Sequence, residues 1–190
     1  MLRRPPPAPA IAYQMEKTPL GSWRRYIHPD GSRFAEYRSR HSLFGLPLMH
    51  YCQGICPETG SREVARGVVA VGRLAVGVVA VGQLSLGLIG IGQFSLGLLI
   101  GIGQLALGPL AAGQVAIGLV ALGQLAVGVV AVGQYGVGHY VLAQMGSGEY
   151  LWSQHHADPG AQRFFGGVWD WLRGRLWGRT HGAAPAAVDR

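Results

Sequence analysis

GRLAVGVVAVGQLSLGLIGIGQ, residues 72–93, places Gly at every fifth position and a polar residue (Arg73, Gln83, Gln93) at every tenth, among small and aliphatic residues. On an α-helix five residues turn the chain by about 500°, so successive glycines would spiral round the axis instead of lining one face. The spacing also differs from the four-residue small-residue seam of packed membrane helices. On a strand the five-residue unit is coherent. Between glycines lie four residues, such as Gln83-Leu84-Ser85-Leu86, in which the second and fourth are large, apolar and on one face by two-residue alternation. The first and third take the other face, and the third is Ala, Ser or Gly in nearly every unit. This predicts an all-β fold with the second and fourth positions inside, the first and third outside, and Gly as a corner where positive φ costs little.

The register extends well beyond this stretch. Gly occupies 67, 72, 77, 82, 87, 92 and 97, slips one residue within LLIGIG (98–103), and continues in fives from 103 to 138, with Ala143 and Gly148 in phase. After Arg73 the polar marker is Gln83, Gln93, Gln104, Gln114, Gln124, Gln134 and Gln144. Strands of five residues joined at glycine corners predict a single-chain β-solenoid, its coils paired at about 4.8 Å. Ten residues per coil gives a flat, two-sided body of about 38 Å; twenty gives a four-sided body of half that length. In the two-sided form the glutamines make one outward ladder, able to hydrogen-bond along the stack. The opposite outward row contains Val78, Leu88, Leu119 and Val129, with Ala80, Gly90, Ala121 and Ala131 between them. Pro109 begins its side, a position that a strand tolerates. An aliphatic row of this length predicts an interaction face, covered by a second copy, by a lipid surface or by the flanking segments.

Four zones follow. Residues 1–19 are Pro-rich and expected to be a disordered arm. Residues 20–66 are an N-terminal adaptor in which WRRYIH (23–28) and RFAEYR (33–38) flank Pro29-Asp30-Gly31, predicting a β-hairpin. LFGLPLMHY (43–51) reads as a buried strand or the lead-in to one. Residues 67–146 are the repeat, and residues 147–190 are a C-terminal cap with a short helix and a flexible tail. In that helix Phe165, Val168 or Trp169, Leu172 and Leu176 form an apolar stripe beside Arg173, Arg175 and Arg179, which suits either a cap over the last coil or a membrane interface.

Charge is uneven. The net charge is +7, yet residues 67–148 carry one Arg and no acid, while residues 1–66 carry ten Lys/Arg against five Asp/Glu. A basic segment of this kind keeps an apolar repeat soluble; nucleic-acid binding is not expected, because no recognised basic-aromatic module is present. Four prolines interrupt the first seventeen residues, so no secretory signal is expected and the start is read as cytoplasmic. Cys52 and Cys56 do not make a disulfide framework. His50, Cys52 and Cys56, even with His41, lack the second cysteine pair of a structural zinc site, so no metal is expected. No nucleophile elbow, zincin, Walker or dinucleotide fingerprint appears, and His155-His156-Ala157-Asp158 reads as a surface loop. No enzyme activity, cofactor or small-molecule substrate is expected.

EYRS and LFGLPLMHY, followed by a Pro/Glu loop, RGVVAVG, the Gly-spaced units and QHHADPGAQRFF, resemble a family of uncharacterised bacterial glycine-repeat proteins over about residues 34–165. The chain departs from that pattern in its glutamines and its CQGIC loop. The resemblance implies a shared fold, one described as membranous on hydropathy, and no activity or functional residue. The five- and ten-residue register, without a recognisable site, leads to the expectation of a non-enzymatic scaffold that self-associates or lies on a membrane. The alternative is an inner-membrane protein with three or four Gly-rich helices across 67–146, motivated by the uncharged run of 75 residues from Leu74 to Gly148.

Overall fold

The structure, a computed structural model, describes residues 11–176. It is mostly β. Eight strands precede one helix: β1 (Gln14–Thr18), β2 (Gly21–Ile27), β3 (Arg33–Ser39), β4 (Ser42–Leu43), β5 (Leu46–Pro47), β6 (Met49–Gln53), β7 (Val64–Leu107), β8 (Leu110–Trp152) and α1 (Pro159–Leu176). Residues 67–146 thus lie almost wholly in strand, not in the membrane helices of the alternative reading. Among the described residues no helix is long and apolar enough to cross a membrane.

The expected hairpin is present. β2 and β3 pair antiparallel with Tyr26 opposite Phe34 and Trp23 opposite Tyr37. Their turn is closed by Gly31 N–H donating to His28 O (2.9 Å) and Ser32 N–H donating to Asp30 Oδ1 (2.9 Å). Gly31 sits at φ +83°, which glycine adopts without a Cβ penalty. Within residues 1–19, expected to be a disordered arm, Gln14–Thr18 form β1 and pair with β2. Residues 1–10 of that arm and 177–190 of the tail, with Arg179, lie outside the described residues.

One sheet runs through the molecule in the order β1-β2-β3-β6-β7-β8. β6 pairs antiparallel with β3 and parallel with β7, with His50 beside Ala70 and Cys52 beside Gly72. β7 and β8 pair in parallel at an offset of ten, Ile100 beside Leu110 and Gly103 beside Gly113. The twenty-residue register is not the one found. The glycines keep the same offset. A Cβ on Gly82, Gly92, Gly123 or Gly133 would overlap the carbonyl oxygen of the glycine ten residues earlier. Across the 98–103 insertion the offset becomes eleven, Gly103 lying against Gly92 and Gly108 against Gly97.

Close backbone approach, not positive φ, therefore makes these positions glycine. Among the described residues of the repeat only Gly108 has positive φ (+153°). It precedes Pro109, where β7 gives way to β8 because proline has no N–H to donate.

The buried side chains correct the expected inside and outside. Ala65, Ala70, Ala75, Ala80, Ala106, Ala111, Ala116, Ala121, Ala126 and Ala131 are at most 2% exposed, and Ser85 and Ser95 are buried with them. All are third positions of their units. The second and fourth positions, expected inside, are half-buried or exposed: Leu84, Leu86, Phe94 and Leu96 all face out. Ala80, Gly90, Ala121 and Ala131, expected between outward anchors, point in. The physical reason is separation. Across the interior, a Cβ on Gly90 would lie 3.1 Å from the Leu96 carbonyl oxygen and one on Gly101 2.6 Å from that of Leu107, so little beyond a methyl or hydroxymethyl group fits and larger side chains turn outward.

At the C-terminal end Asp158 caps α1, its Oδ1 accepting Gly160 N–H (2.7 Å), and Pro159 occupies the first turn. Phe164 stacks on Tyr140 at 4.2 Å, and Tyr140 on Tyr150 at 5.0 Å. Ala161 is the buried residue of the helix, and Phe165 is half-buried. The expected stripe does not dock: Val168, Trp169, Leu172 and Leu176 are exposed. The helix caps with its first two turns only.

Candidate functional site

The outer surface of the repeat is the feature to explain. Val78, Leu88, Leu119 and Val129 project outward as expected, Leu119 being 60% exposed. Aliphatics also face out on the glutamine-bearing side, where Leu84 and Phe94 are each more than half exposed. The apolar surface is thus not one face but both. Sequence reasoning missed this because it placed the second and fourth positions in the core. The signal was available in the third position: a column held to Ala, Ser or Gly marks where space is least.

The seven glutamines form one outward column, all exposed. Its lower end is tied by Arg73 Nε donating to Gln83 Oε1 (2.9 Å), and no two of these glutamines bond each other among the described residues. Because Gly72, Gly82 and Gly92 lack side chains, a groove runs beside the column, lined also by Val71, Arg73, Val81, Gln83 and Gln93. A second stretch near the C-terminal end is lined by Val132, Gly133, Gln144, Trp152 and Gln154.

The N-terminal end carries a buried polar cluster. Glu36 on β3 accepts hydrogen bonds from Arg24 Nε (2.8 Å) and Arg38 (3.2 Å), and its other contacts include the Arg24 terminal nitrogen. His50 Nδ1 accepts Arg66 N–H (2.8 Å), so Nε2 carries the hydrogen donated to Glu36 Oε1 (3.1 Å). The His50 hydrogen bond, with help from the Arg24 pair and against the cost of burial, holds the Glu36 carboxyl down at about 2. Among the described residues every member is hydrogen-bonded, and the Cys52 thiol lies opposite Glu36 in the strand register, so the cluster forms a floor under the alanine column.

Cys52 and Cys56 are buried free thiols. Burial, with the nearby Glu36 and Glu63 carboxylates, pushes the Cys52 thiol up to about 11. Among the described residues no cluster of three or more His, Cys, Asp or Glu side chains could hold a metal ion. Of the two readings of LFGLPLMHY, a buried strand or the lead-in to one, the second is found, since the motif leads into β6 at Met49. Leu43 and Leu46 pair across a two-residue turn, Phe44 at its tip is 96% exposed at φ +52°, and within the motif only His50 is buried.

No known family, curated protein or solved structure matches this chain.

Proposed function

We propose that residues 64–152 form a two-sided β-solenoid of ten-residue coils, and that the protein is a non-catalytic structural element held at a membrane by its apolar outer surface. The observation that carries this reading is the inversion of the repeat: Ala, Ser and Gly inside, Leu, Ile, Val and Phe outside on both faces. Burying one such side chain contributes about 1.5–3 kcal/mol, so a surface of this extent is strongly driven out of water. Acyl chains reach both faces at once. The ten-residue offset and the glycine contacts support the coiling. The likeness of Leu43–Tyr51 and the Gly-spaced units to bacterial glycine-repeat proteins belongs to the same proposal.

Pairing of two copies through Val78, Leu88, Leu119 and Val129 is the second reading, favoured by their common outward row. It would leave Leu84, Leu86, Phe94 and Leu96 in water. Flotation with phosphatidylcholine–phosphatidylglycerol vesicles separates the two. The wild type is expected to float, and both L88K/L119K and L84K/F94K to float less while keeping their strand circular dichroism. If the wild type stays unbound as a monomer, the reading fails. If only L88K/L119K has an effect, and that effect is to split a dimer, pairing is correct.

A further inference from the structure

We infer that the repeat crosses the bilayer along the axis of its stacked coils, with the strands lying parallel to the membrane plane. The inference rests on the lipid-contact reading above and adds a direction to it. A peripheral apolar protein wets one side; here the aliphatic side chains face out on both sides of the sheet, while charge is confined to the two ends.

The lengths agree. From Arg73 to Gln144 the polar marker advances seven steps, which at about 4.8 Å each is about 34 Å. Between them no Lys, Arg, Asp or Glu occurs. A hydrocarbon core is about 30 Å thick. The column that begins at Tyr51, beside Val71, proceeds through Val81, Ile91, Ile102, Ala112, Leu122, Val132 and Leu142 to Trp152. Those nine steps span about 43 Å, the thickness of a bilayer with its interfacial regions.

Aromatic side chains gather at both ends of that column. Trp23 lies 5.0 Å from Tyr37 and 5.8 Å from Tyr51 below it. Tyr140 and Tyr150 stack beside its last two members, Leu142 and Trp152, with His139 Nδ1 paired to Glu149 (2.9 Å). Trp and Tyr prefer the headgroup level, so two aromatic clusters one bilayer apart mark two interfaces. Exposed arginines occur at both ends, Arg66 at the N-terminal end and Arg173 and Arg175 on the exposed part of α1, where they complement anionic headgroups.

The requirement that excludes most β-structure from lipid is an unpaired backbone. A parallel ladder along the axis pairs successive strands; at one end β6 pairs with residues 69–72 of β7, and at the other Trp152 bridges Ala157 and Asp158 N–H donates to Leu151 O (2.9 Å). Among the described residues the glutamine column is the polar stripe on the flank; its amides are exposed and uncharged, and only Gln83 is bonded along the column, by Arg73.

The double variant S32C/Q154C, with one exposed residue at each end, tests this in reconstituted vesicles of phosphatidylcholine and phosphatidylglycerol. Cys52 and Cys56 are buried, and the parent protein reports any background from them. A membrane-impermeant maleimide is expected to add one label per molecule to intact vesicles and two after detergent, read by mass. Two labels, or none, before detergent would overturn the crossing while flotation still upheld lipid contact; failure to float would remove lipid contact itself. Polarised infrared spectra of oriented bilayers give an independent reading. Strand carbonyls point along the stacking axis, so amide I absorption is expected along the membrane normal. Absorption in the plane means that the repeat lies flat.

Discussion

Val141 fills the space that a Cβ on Gly136 would occupy, its Cγ1 lying 2.6 Å from that position. Both residues are third positions facing the interior, where nearly every other unit carries Ala, Ser or Gly. One larger and one smaller residue meet, and the interior width is kept. Gly136→Ala is expected to destabilise the fold by about 1–3 kcal/mol through overpacking. Val141→Ala should lose a comparable amount through lost contacts and a cavity. The double variant, which restores two alanines, should recover most of either loss. Unfolding midpoints of the four proteins check this; simple additivity would mean that the two positions do not face each other.

A corner glycine has no such remedy. Gly92 lies against the carbonyl oxygen of Gly82, and backbone cannot rotate away as a side chain can. Gly92→Ala is expected to cost more than about 3 kcal/mol or to prevent folding, whereas Leu119→Ala, at an outward position, should change stability in detergent by less than about 1 kcal/mol. Thermal melts of the two variants compare them directly.

Acid should loosen the N-terminal end first. The Glu36 carboxyl is held at about 2, below its ordinary value of 4.5, so its contribution is complete above about pH 5 and is lost as pH falls towards 2. That contribution is on the order of 3 kcal/mol at neutral pH. Glu36→Gln should be less stable at pH 7, since Arg24 and Arg38 lose their partner, and should show a flatter stability profile between pH 5 and 2. Trp23 fluorescence reports the transition.

The thiols should be silent until the floor opens. Cys52, at 2% exposure and with its thiol pushed up to about 11, and Cys56, at 0% exposure, are expected to resist iodoacetamide at pH 8. Both should react fully in denaturant. Rapid labelling of the folded protein would show that the CQGIC loop opens away from Phe34 and Ala65.

Much of the architecture is legible in the sequence, because local rules govern it. Gly in fives is incompatible with a helical face and compatible with short extended segments, so strand was readable over 67–146. Pro29-Asp30-Gly31 between alternating segments specifies the hairpin, and the apolar spacing after Phe165 marks a helix, whose start at Pro159 under the Asp158 cap that spacing does not place. The outward direction of Val78, Leu88, Leu119 and Val129 was also readable. Strand alternation names two faces but does not say which is inside when neither is charged. That choice came from how closely the backbones face each other across the interior, where a Cβ on Gly101 would lie 2.6 Å from the Leu107 carbonyl oxygen, and it left room for Ala75 and Ser85 but not for Leu74 and Leu86. The Glu36–His50–Arg66 floor was equally hidden, since its members are 14 and 16 residues apart and meet only because β6 lies between β3 and β7. Sequence determined the kind of structure and its period; contact between distant segments decided what is enclosed and what is left for the surroundings to cover.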